Sequence, residues 1–251
     1  MSKRLTYLPE LDGLRGFAIL LVVFYHAKLA GFGGGFIGVD IFFVLSGYLV
    51  TFGLYQELVS TKTINLGEFF QRRIKRLLPV FFFVILITLA IGYFVLIPIA
   101  GEQQALGRSA IASSLFLSNL YFIFNTGGYF DEPTELQPLL HTWSLSVEAQ
   151  FYLIWPFIIG FIYFLSRKNT SLFPKNLTIA LGLLSIASLF VSLYFTYKQA
   201  SVAFFLMPSR MWEFGTGGLL VLLPVQKFNA NLGNFISSLS LLFSFYTGRG
   251  Y

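Results

Sequence analysis

Two ionisable residues in the first apolar run of the chain have the spacing of one helix face. Arg15 and His26 are eleven residues apart, which at about 100° per residue is three turns plus about 20°, with about 16 Å between them along the axis. Histidine accepts and releases a proton near neutral pH, so the pattern favours a cation at one end and an acid–base group at the other. The alternative is that Arg15 reaches the lipid headgroups and His26 binds a nearby carbonyl.

A carboxylate follows at the start of the second apolar run. Asp40 falls where a helix dipole stabilises negative charge. The glycine-rich residues 31–35 predict a tight hairpin that brings Asp40 close to His26, and a carboxylate in that position orients an imidazole base. Capping of the second helix explains Asp40 equally well. Ser46 and Gly47 predict close helix packing rather than a nucleophile.

A third polar group lies at the mouth of a later apolar run. If this segment is helical, His141, Ser144 and Glu148 share a face at i, i+3 and i+7. A carboxylate left unpaired in lipid is costly, which favours a polar cleft around Glu148. Arg210 and Glu213 have the i, i+3 spacing of an internal ion pair, for which a structural role is the better explanation.

The fourth group is a run of cations at Arg72, Arg73, Lys75 and Arg76. Such a run before an apolar segment can simply set topology, because cytoplasmic loops are rich in lysine and arginine. Its functional alternative is an anion site for the phosphates of a cytoplasmic donor. Composition alone favours the topological explanation.

The elements that position these residues follow from composition. The 251 residues are 56% hydrophobic and 11% charged, with a mean hydropathy of +0.74. Soluble domains carry about a quarter charged residues, so soluble, disordered and coiled-coil classes are excluded. Long apolar runs indicate an all-α, polytopic transmembrane helical bundle. Two His and no Cys argue against a metal site, and the +6 net charge, scattered between apolar runs, argues against nucleic-acid binding.

The apolar runs predict seven spans. They cover residues 14–30, 36–54, 77–97, 147–165, 177–197, 202–223 and, incompletely, 232–246. Lys3 and Arg4 place the N-terminus in the cytoplasm. Residues 110–124 are predicted to be re-entrant or interfacial, because this arrangement puts the acidic Asp131, Glu132 and Glu135 outside and the later bases inside.

These residues together resemble the membrane acyltransferase 3 family, the bacterial O-antigen and peptidoglycan O-acetyltransferases. The matching stretches are YLPELDGLRG at 7–16, Arg15 with ten residues before His26, GVDIFFVLSGY at 38–48, FQRR at 70–73 with Arg76 and Pro79, and HTWSLSVE at 141–148 with QFY at 150–152. Four motifs in family order make the resemblance specific. RMWEF at 210–214 is also similar to the family, although the likeness is looser from Asn169 onward.

The resemblance implies an enzyme of the bacterial inner membrane that moves an acyl group, usually acetyl from acetyl-CoA, to a hydroxyl of a glycan outside the cytoplasm. Acetyl-CoA is then a co-substrate, no cofactor is bound, and the partners are the lipid bilayer and the glycan acceptor. The family's leading catalytic motif, an arginine and a histidine separated by ten residues, matches Arg15 and His26.

Roles for the site residues follow as a hypothesis. His26 is expected to act as general base on the sugar hydroxyl or to carry the acyl group transiently, with Asp40 orienting it. Arg15 is expected to bind or polarise the donor, and Glu148 to shape the acceptor side. The donor phosphates are expected at Arg72, Arg73 and Arg76, and the acceptor side at His141, Trp143 and Ser144.

The length is short for the family, whose members typically have about ten spans and often an added SGNH-type domain. We therefore expect residues 7–251 to be an acyltransferase domain incomplete at its C-terminus, with no soluble domain. Two other readings stay open, a transporter or flippase of a glycan or small molecule and an inactive remnant of the enzyme. The acyl group, the acceptor glycan and the oligomeric state are not readable from these residues.

Overall fold

A computed structural model describes residues 9–98, 101–125 and 136–223, which are helical with connecting turns and contain no strand. This confirms the predicted all-α class. Four predictions lie outside the described residues: the incomplete run at 232–246, the acidic side chains of Asp131, Glu132 and Glu135, the cytoplasmic N-terminus indicated by Lys3 and Arg4, and the motif residues Tyr7 and Leu8.

Nine helices make up the described part of the chain. They are α1 (Pro9–His26), α2 (Ile37–Thr61), α3 (Leu66–Val95), α4 (Glu102–Ser114), α5 (Ser118–Asn125), α6 (Thr142–Ser166), α7 (Phe173–Lys198), α8 (Ala200–Phe205) and α9 (Met207–Leu220). A short 3-10 turn, Thr170–Leu172, leads into α7.

Four of these segments are long and apolar enough to cross a membrane. They are α2, α3, α6 and the stretch Thr170–Lys198 that contains α7. The chain is therefore a multi-pass membrane protein, while the total of seven spans stays a prediction. The expected span at 202–223 is not one continuous helix, because the extended backbone of Leu206 divides it between α8 and α9. Pro208 lies in the first turn of α9, where proline is tolerated.

The start of α3 also corrects the sequence analysis. The predicted span begins at residue 77, whereas α3 begins at Leu66, where Asn65 caps it by accepting a hydrogen bond from the Glu68 N–H at 3.1 Å. The four basic residues therefore lie on the helix and not on a polar connection. Arginine, lysine and glutamine are good helix formers, so α3 continues through them.

The ambiguous residues 110–124 fold as two short helices with a break between them. α4 has 13 residues and α5 has 8, so neither reaches the roughly 20 residues of a span. Buried hydroxyls join this pair to α6: Ser113 bonds Thr142 at 2.8 Å and Ser118 bonds Ser146 at 2.7 Å. Paired hydroxyls between helices satisfy groups that lipid cannot.

The chain divides into two compact units, Met1–Gly53 with Glu213–Tyr251 and Leu54–Trp212. In the first unit α1 and α2 form the predicted tight hairpin. A Cβ at Gly38 would lie 2.4 Å from the Ala18 carbonyl oxygen, so only glycine allows this approach. Gly47 likewise lies against the backbone of Phe214, which confirms that it marks close helix packing.

The second unit is built around α6. Its buried core includes Trp155, Phe151 and Ile159 of α6, which are fully buried, and α6 packs against α5, α7 and α8. A smaller apolar cluster lies where α3 meets α4, with Phe81, Ile85 and Leu106 at its centre. These contacts fix α3 and α6 within one body, and the site residues of this unit lie on both.

Candidate functional site

Arg15 lies in the second turn of α1 and pairs with a neighbour. Its Nη1 is 3.1 Å from the Asp12 carboxylate, three residues earlier on the same helix. The ion pair is partly exposed, with 28% of the Arg15 side chain accessible. Exposed pairs of this kind hold a cation weakly, so Arg15 can exchange its partner for a ligand anion at small cost.

His26 is the last residue of α1, four residues earlier than the predicted end of that run. Its Nδ1 lies 2.8 Å from the Val22 carbonyl oxygen. A carbonyl only accepts, so Nδ1 carries the proton in the neutral ring and Nε2 keeps a lone pair. This carbonyl contact is the non-catalytic alternative that the sequence suggested for His26. The side chain is nevertheless exposed, and Nε2 is left with the lone pair that a general base requires.

Asp40 lies in the first turn of α2, as the sequence analysis expected. There the helix dipole stabilises its negative charge, and the side chain is half-buried. The hairpin carries Gly35 so close to α1 that a Cβ there would lie 2.9 Å from that of Tyr25. The proposed orientation of His26 by Asp40 stays a prediction.

The three arginines of the basic run on α3 have different environments in the second unit. Arg72 forms a short ion pair with Glu68 one turn earlier, and both side chains are more than half exposed. Arg76 is exposed and lines a cavity described below. Arg73, by contrast, is half-buried against α6. The three predicted donor-binding residues are therefore not equivalent.

Arg73 is held by two aromatic rings, one of which also binds a carboxylate. Its guanidinium carbon is 5.0 Å from the ring centroid of Tyr152 and 5.6 Å from that of Phe69. The Tyr152 hydroxyl donates to the Glu148 carboxylate, with 2.5 Å between the oxygens. Both predicted residues, Arg73 and Glu148, thus contact one buried tyrosine, which the motif contained but to which the sequence analysis gave no role.

The contact with Tyr152 joins different levels of two helices. Tyr152 is the eleventh of the 25 residues of α6, a helix long and apolar enough to be a span. Arg73 is the eighth of the 30 residues of α3 and belongs to the basic run before the apolar part of that helix, where a cation can set topology. The topological and the functional explanations of the run therefore both stay open, and the contact with Tyr152 is the feature that distinguishes Arg73 from its basic neighbours.

The acceptor-side residues are divided between surface and core. His141 immediately precedes α6 and is exposed, and Ser144 donates from its hydroxyl to the His141 carbonyl at 3.2 Å. Trp143 is only 2% exposed and packs against Phe204, with ring centroids 4.6 Å apart. Trp143 thus anchors the start of α6, while His141 remains accessible to a ligand.

Two adjoining cavities lie between α3, the α4–α5 break and α6. Cavity A has a volume of about 340 Å³ and is lined by Phe70, Arg73, Ile74, Leu77, Leu78, Leu115, Phe116, Leu117, Ala149, Gln150, Tyr152 and Leu153. Cavity B has a volume of about 290 Å³ and is lined by Arg76, Leu77, Val80, Phe81, Val84, Phe116, His141 and Leu145. Mostly apolar walls with a few polar groups are typical of small-molecule sites.

An amide pair supports these cavities and was missed by the sequence analysis. Gln150 donates from Nε2 to the Asn119 Oδ1 at 2.9 Å, and Asn119 donates to the Phe205 carbonyl at 3.1 Å. Both amides fall in predominantly apolar stretches, which was the available signal. Within the part of the chain that the structure describes, no three His, Asp or Glu residues are grouped to hold a metal ion.

Comparison with known proteins gives a family and several relatives. The family model described as "Acyltransferase domain" matches residues 8–251. "O-acetyltransferase OatA" of Staphylococcus aureus (strain NCTC 8325 / PS 47) is 38% identical over 216 residues, 85% of this chain and 34% of that protein. "Peptidoglycan O-acetyltransferase OatA" of Listeria monocytogenes is 42% identical over 180 residues, 71% of this chain and 28% of that protein.

A third relative is "Putative peptidoglycan O-acetyltransferase YrhL" of Bacillus subtilis (strain 168), 36% identical over 228 residues, 90% of this chain and 35% of that protein. The chain therefore spans about a third of the length of these curated relatives. No solved structure gives a significant match.

Proposed function

This chain belongs to the acyltransferase domain family, and from that membership we propose that it is an integral membrane O-acyltransferase. It moves an acyl group, acetyl in the simplest case, from a coenzyme A thioester to a hydroxyl of a cell-surface glycan. The observation that carries the proposal is that Arg73, stacked on Tyr152, and Arg76 each line a mostly apolar cavity beside α6. Cations next to apolar walls suit a ligand that has both charged and uncharged parts.

The donor side is assigned to the basic face of α3. Coenzyme A thioesters combine phosphates with a long, largely uncharged arm, so they require cations next to an apolar channel. Arg73 and Arg76 each line one of two mostly apolar cavities, and Arg72 lies beside them on the exposed surface of α3. This juxtaposition supports donor binding by Arg72, Arg73 and Arg76.

The acid–base step is assigned to His26. Because Nδ1–H donates to the Val22 carbonyl, Nε2 can take the proton of the sugar hydroxyl. The oxygen of that hydroxyl then attacks the thioester carbonyl. The carbon–sulfur bond breaks, the acyl group remains on the sugar oxygen, and the coenzyme thiolate receives the proton. In the two-step variant, the Nε2 lone pair attacks the thioester carbonyl, the carbon–sulfur bond breaks and the coenzyme leaves as thiolate. The sugar oxygen then attacks the acyl carbon, the carbon–nitrogen bond breaks, and the hydroxyl proton passes to the coenzyme thiolate.

The remaining roles complete this proposal. Asp40 orients His26, Arg15 polarises the donor carbonyl, and Glu148 shapes the acceptor side together with His141 and Ser144. Two of the relatives are named for peptidoglycan, so we assign peptidoglycan as the acceptor, ahead of O-antigen or exopolysaccharide. The enzyme lies in the bacterial inner membrane with a cytoplasmic N-terminus, which lets the donor bind inside and the acceptor outside.

Labelled acetyl transfer tests this function. Membranes containing the chain are given acetyl-labelled acetyl-CoA and glycan, and base-labile acetyl on the recovered glycan is measured. We expect His26→Ala to lower the label at least 100-fold, because general-base catalysis contributes 10²–10⁴-fold in rate. His26→Ala with full abundance and full labelling would contradict the catalytic role, whereas glycan flux without labelling would favour a transporter.

A further inference from the structure

The break between α4 and α5 contains a strained aromatic residue. Phe116 has a φ of 55°, in the left-handed region that bulky side chains avoid. Such conformations persist only where the surroundings enforce them, and they cluster at functional sites. The strain at Phe116 therefore raises the question of what its ring does.

Hydrogen bonds from two directions enforce this conformation. The Phe116 N–H donates to the Ser113 carbonyl of α4 at 2.8 Å. The Phe116 carbonyl accepts from Nε2 of Gln150 on α6 at 3.0 Å, the same nitrogen that bonds Asn119. The backbone of Phe116 is thus held on one side by the end of α4 and on the other by a side chain of α6.

Phe116 borders both cavities. It stacks on Phe81 of α3, with centroids 4.9 Å apart and planes 15° apart. Phe116 and Leu77 are the residues that line both cavity A and cavity B. Of these, Phe116 is the one held away from its preferred backbone conformation. Phe116 is therefore the strained residue that borders both cavities.

The lining of the cavities indicates the chemistry of the occupant. Arg73 lines cavity A, Arg76 lines cavity B, and none of the lining residues is a carboxylate. Cavity B follows α3 from Arg76 to Val84, about 12 Å along the axis, with His141 also in its wall. A cationic entrance to an apolar slot fits an anionic molecule that carries a flexible apolar chain.

We propose that Phe116 limits the length of the acyl chain that this protein accepts on its thioester donor. The inference rests on the proposed function, in which the basic residues of α3 bind a coenzyme A thioester. The donor arm occupies one cavity, and the Phe116 ring denies a longer acyl chain the space of the other. Without the ring the cavities join, and a medium-length chain is accommodated.

Binding of unreactive donor analogues tests this assignment without turnover. The 251-residue chain in phosphatidylcholine nanodiscs is titrated with the thioethers S-ethyl-CoA and S-octyl-CoA. We expect the unsubstituted protein to bind the ethyl form at least tenfold more tightly. Phe116→Gly should lower that ratio tenfold or more, the change expected from burying about two further methylene groups.

The choice of variants guards against a simple folding defect. Glycine adopts a φ of 55° freely, so Phe116→Gly removes the ring and the backbone strain together, whereas Phe116→Ala removes the ring alone. Phe83→Ala is the matched control, since Phe83 lies on the same helix as Phe81, is 61% exposed and lines neither cavity. Its ethyl-to-octyl ratio should equal that of the unsubstituted protein.

The outcomes distinguish the role of Phe116 in acyl length from the binding of the donor by α3. If S-ethyl-CoA binds and both Phe116 variants keep the unsubstituted ratio, the role of Phe116 is overturned while donor binding stands. If neither thioether binds the unsubstituted protein, the donor assignment fails and this inference fails with it. If Phe116→Gly instead retains extra phospholipid through purification with an unchanged ratio, the cavities belong to lipid and the proposal is wrong.

Discussion

Tyr152 contacts two charged residues through different parts of its side chain. Its ring face lies 5.0 Å from the Arg73 guanidinium carbon, while its hydroxyl donates to Glu148. The ring contact is a cation–π interaction, worth about 0.5–2 kcal/mol depending on desolvation. The hydroxyl contact is a hydrogen bond to a carboxylate, one of the stronger kinds in proteins. The two contacts can therefore be removed separately.

Two substitutions of Tyr152 separate these contacts by kinetics. Tyr152→Phe keeps the ring beneath Arg73 and removes the bond to Glu148, so we expect kcat to fall about 5- to 50-fold with little change in donor KM. Tyr152→Leu also removes the cation–π contact, so donor KM should rise in addition, about 3- to 30-fold.

Steady-state acetyl transfer at varied acetyl-CoA concentration checks this split. Tyr55→Phe is a control, since Tyr55 stacks on Phe173 and is remote in the chain from the α3–α6 contact. If Tyr152→Phe and Tyr152→Leu have the same kcat and the same donor KM, only the hydroxyl contributes. The proposed cation–π contribution of Tyr152 to donor binding through Arg73 would then be wrong.

At the residue scale, sequence spacing predicted the positions of the ionisable residues but not the aromatic residues that contact them or line the cavities. The helical spacing of Arg15 and His26, and the position of Asp40 in a first turn, follow from periodicity and agree with α1 and α2. Tyr152 and Phe116 look like ordinary aromatic residues in an aromatic-rich chain. Their roles depend on contacts with residues 35 or more positions away in the chain, or on a backbone conformation that composition does not encode.

At the scale of elements, α2 packs through close-contact glycines as well as through buried apolar side chains such as Phe43 and Val50. Gly38 and Gly47 lie against backbone atoms of α1 and α9, so neither position has room for a methyl group. Lipid tails are as apolar as leucine, so helices in membranes associate mainly through such close contacts. Gly53, later on the same helix, has no atom within 4 Å of a built Cβ.

A pair of alanine substitutions on α2 tests this packing. A Cβ at Gly47 would lie 2.1 Å from the Phe214 carbonyl oxygen, so Gly47→Ala forces two backbones apart and should lower the free energy of unfolding by about 1–3 kcal/mol. Gly53→Ala makes no such contact, so the free energy of unfolding should be unchanged or slightly raised.

Thermal unfolding in detergent measures both variants under the same conditions. The expected order of Tm is Gly53→Ala at or above the unsubstituted protein, and Gly47→Ala several degrees below it. If the two variants unfold at the same temperature, the contact of Gly47 with Phe214 contributes no packing energy.

Element boundaries were the part of the fold that the sequence predicted least well. The apolar run placed the start of the third helix at residue 77, because hydropathy responds to charge. Helix formation responds to propensity and capping, and both favour a start near Asn65. Residues 202–223 show the same difference, because their hydropathy is continuous whereas the extended backbone of Leu206 divides them into α8 and α9.

At the scale of the whole molecule, composition determined the class, while charge position predicted the orientation. The 56% hydrophobic content and the long apolar runs were sufficient for an all-α membrane protein. Orientation depends on a few lysine and arginine residues between the runs. Arg167, Lys168 and Lys175 precede or begin α7, and Lys198 ends it, so α7 carries more positive charge at its start.

The absence of native cysteine makes this orientation directly measurable. The sequence has no Cys, so a single introduced thiol is the only reactive one. Asn169→Cys and Gln199→Cys flank α7, replace exposed uncharged residues and leave every lysine and arginine in place. In intact spheroplasts, a membrane-impermeant maleimide should label the cysteine at 199 and leave the one at 169 unlabelled. After permeabilisation both should react. Labelling at 169 alone before permeabilisation would reverse the membrane orientation, and the basic residues of α3 would then face away from any cytoplasmic donor.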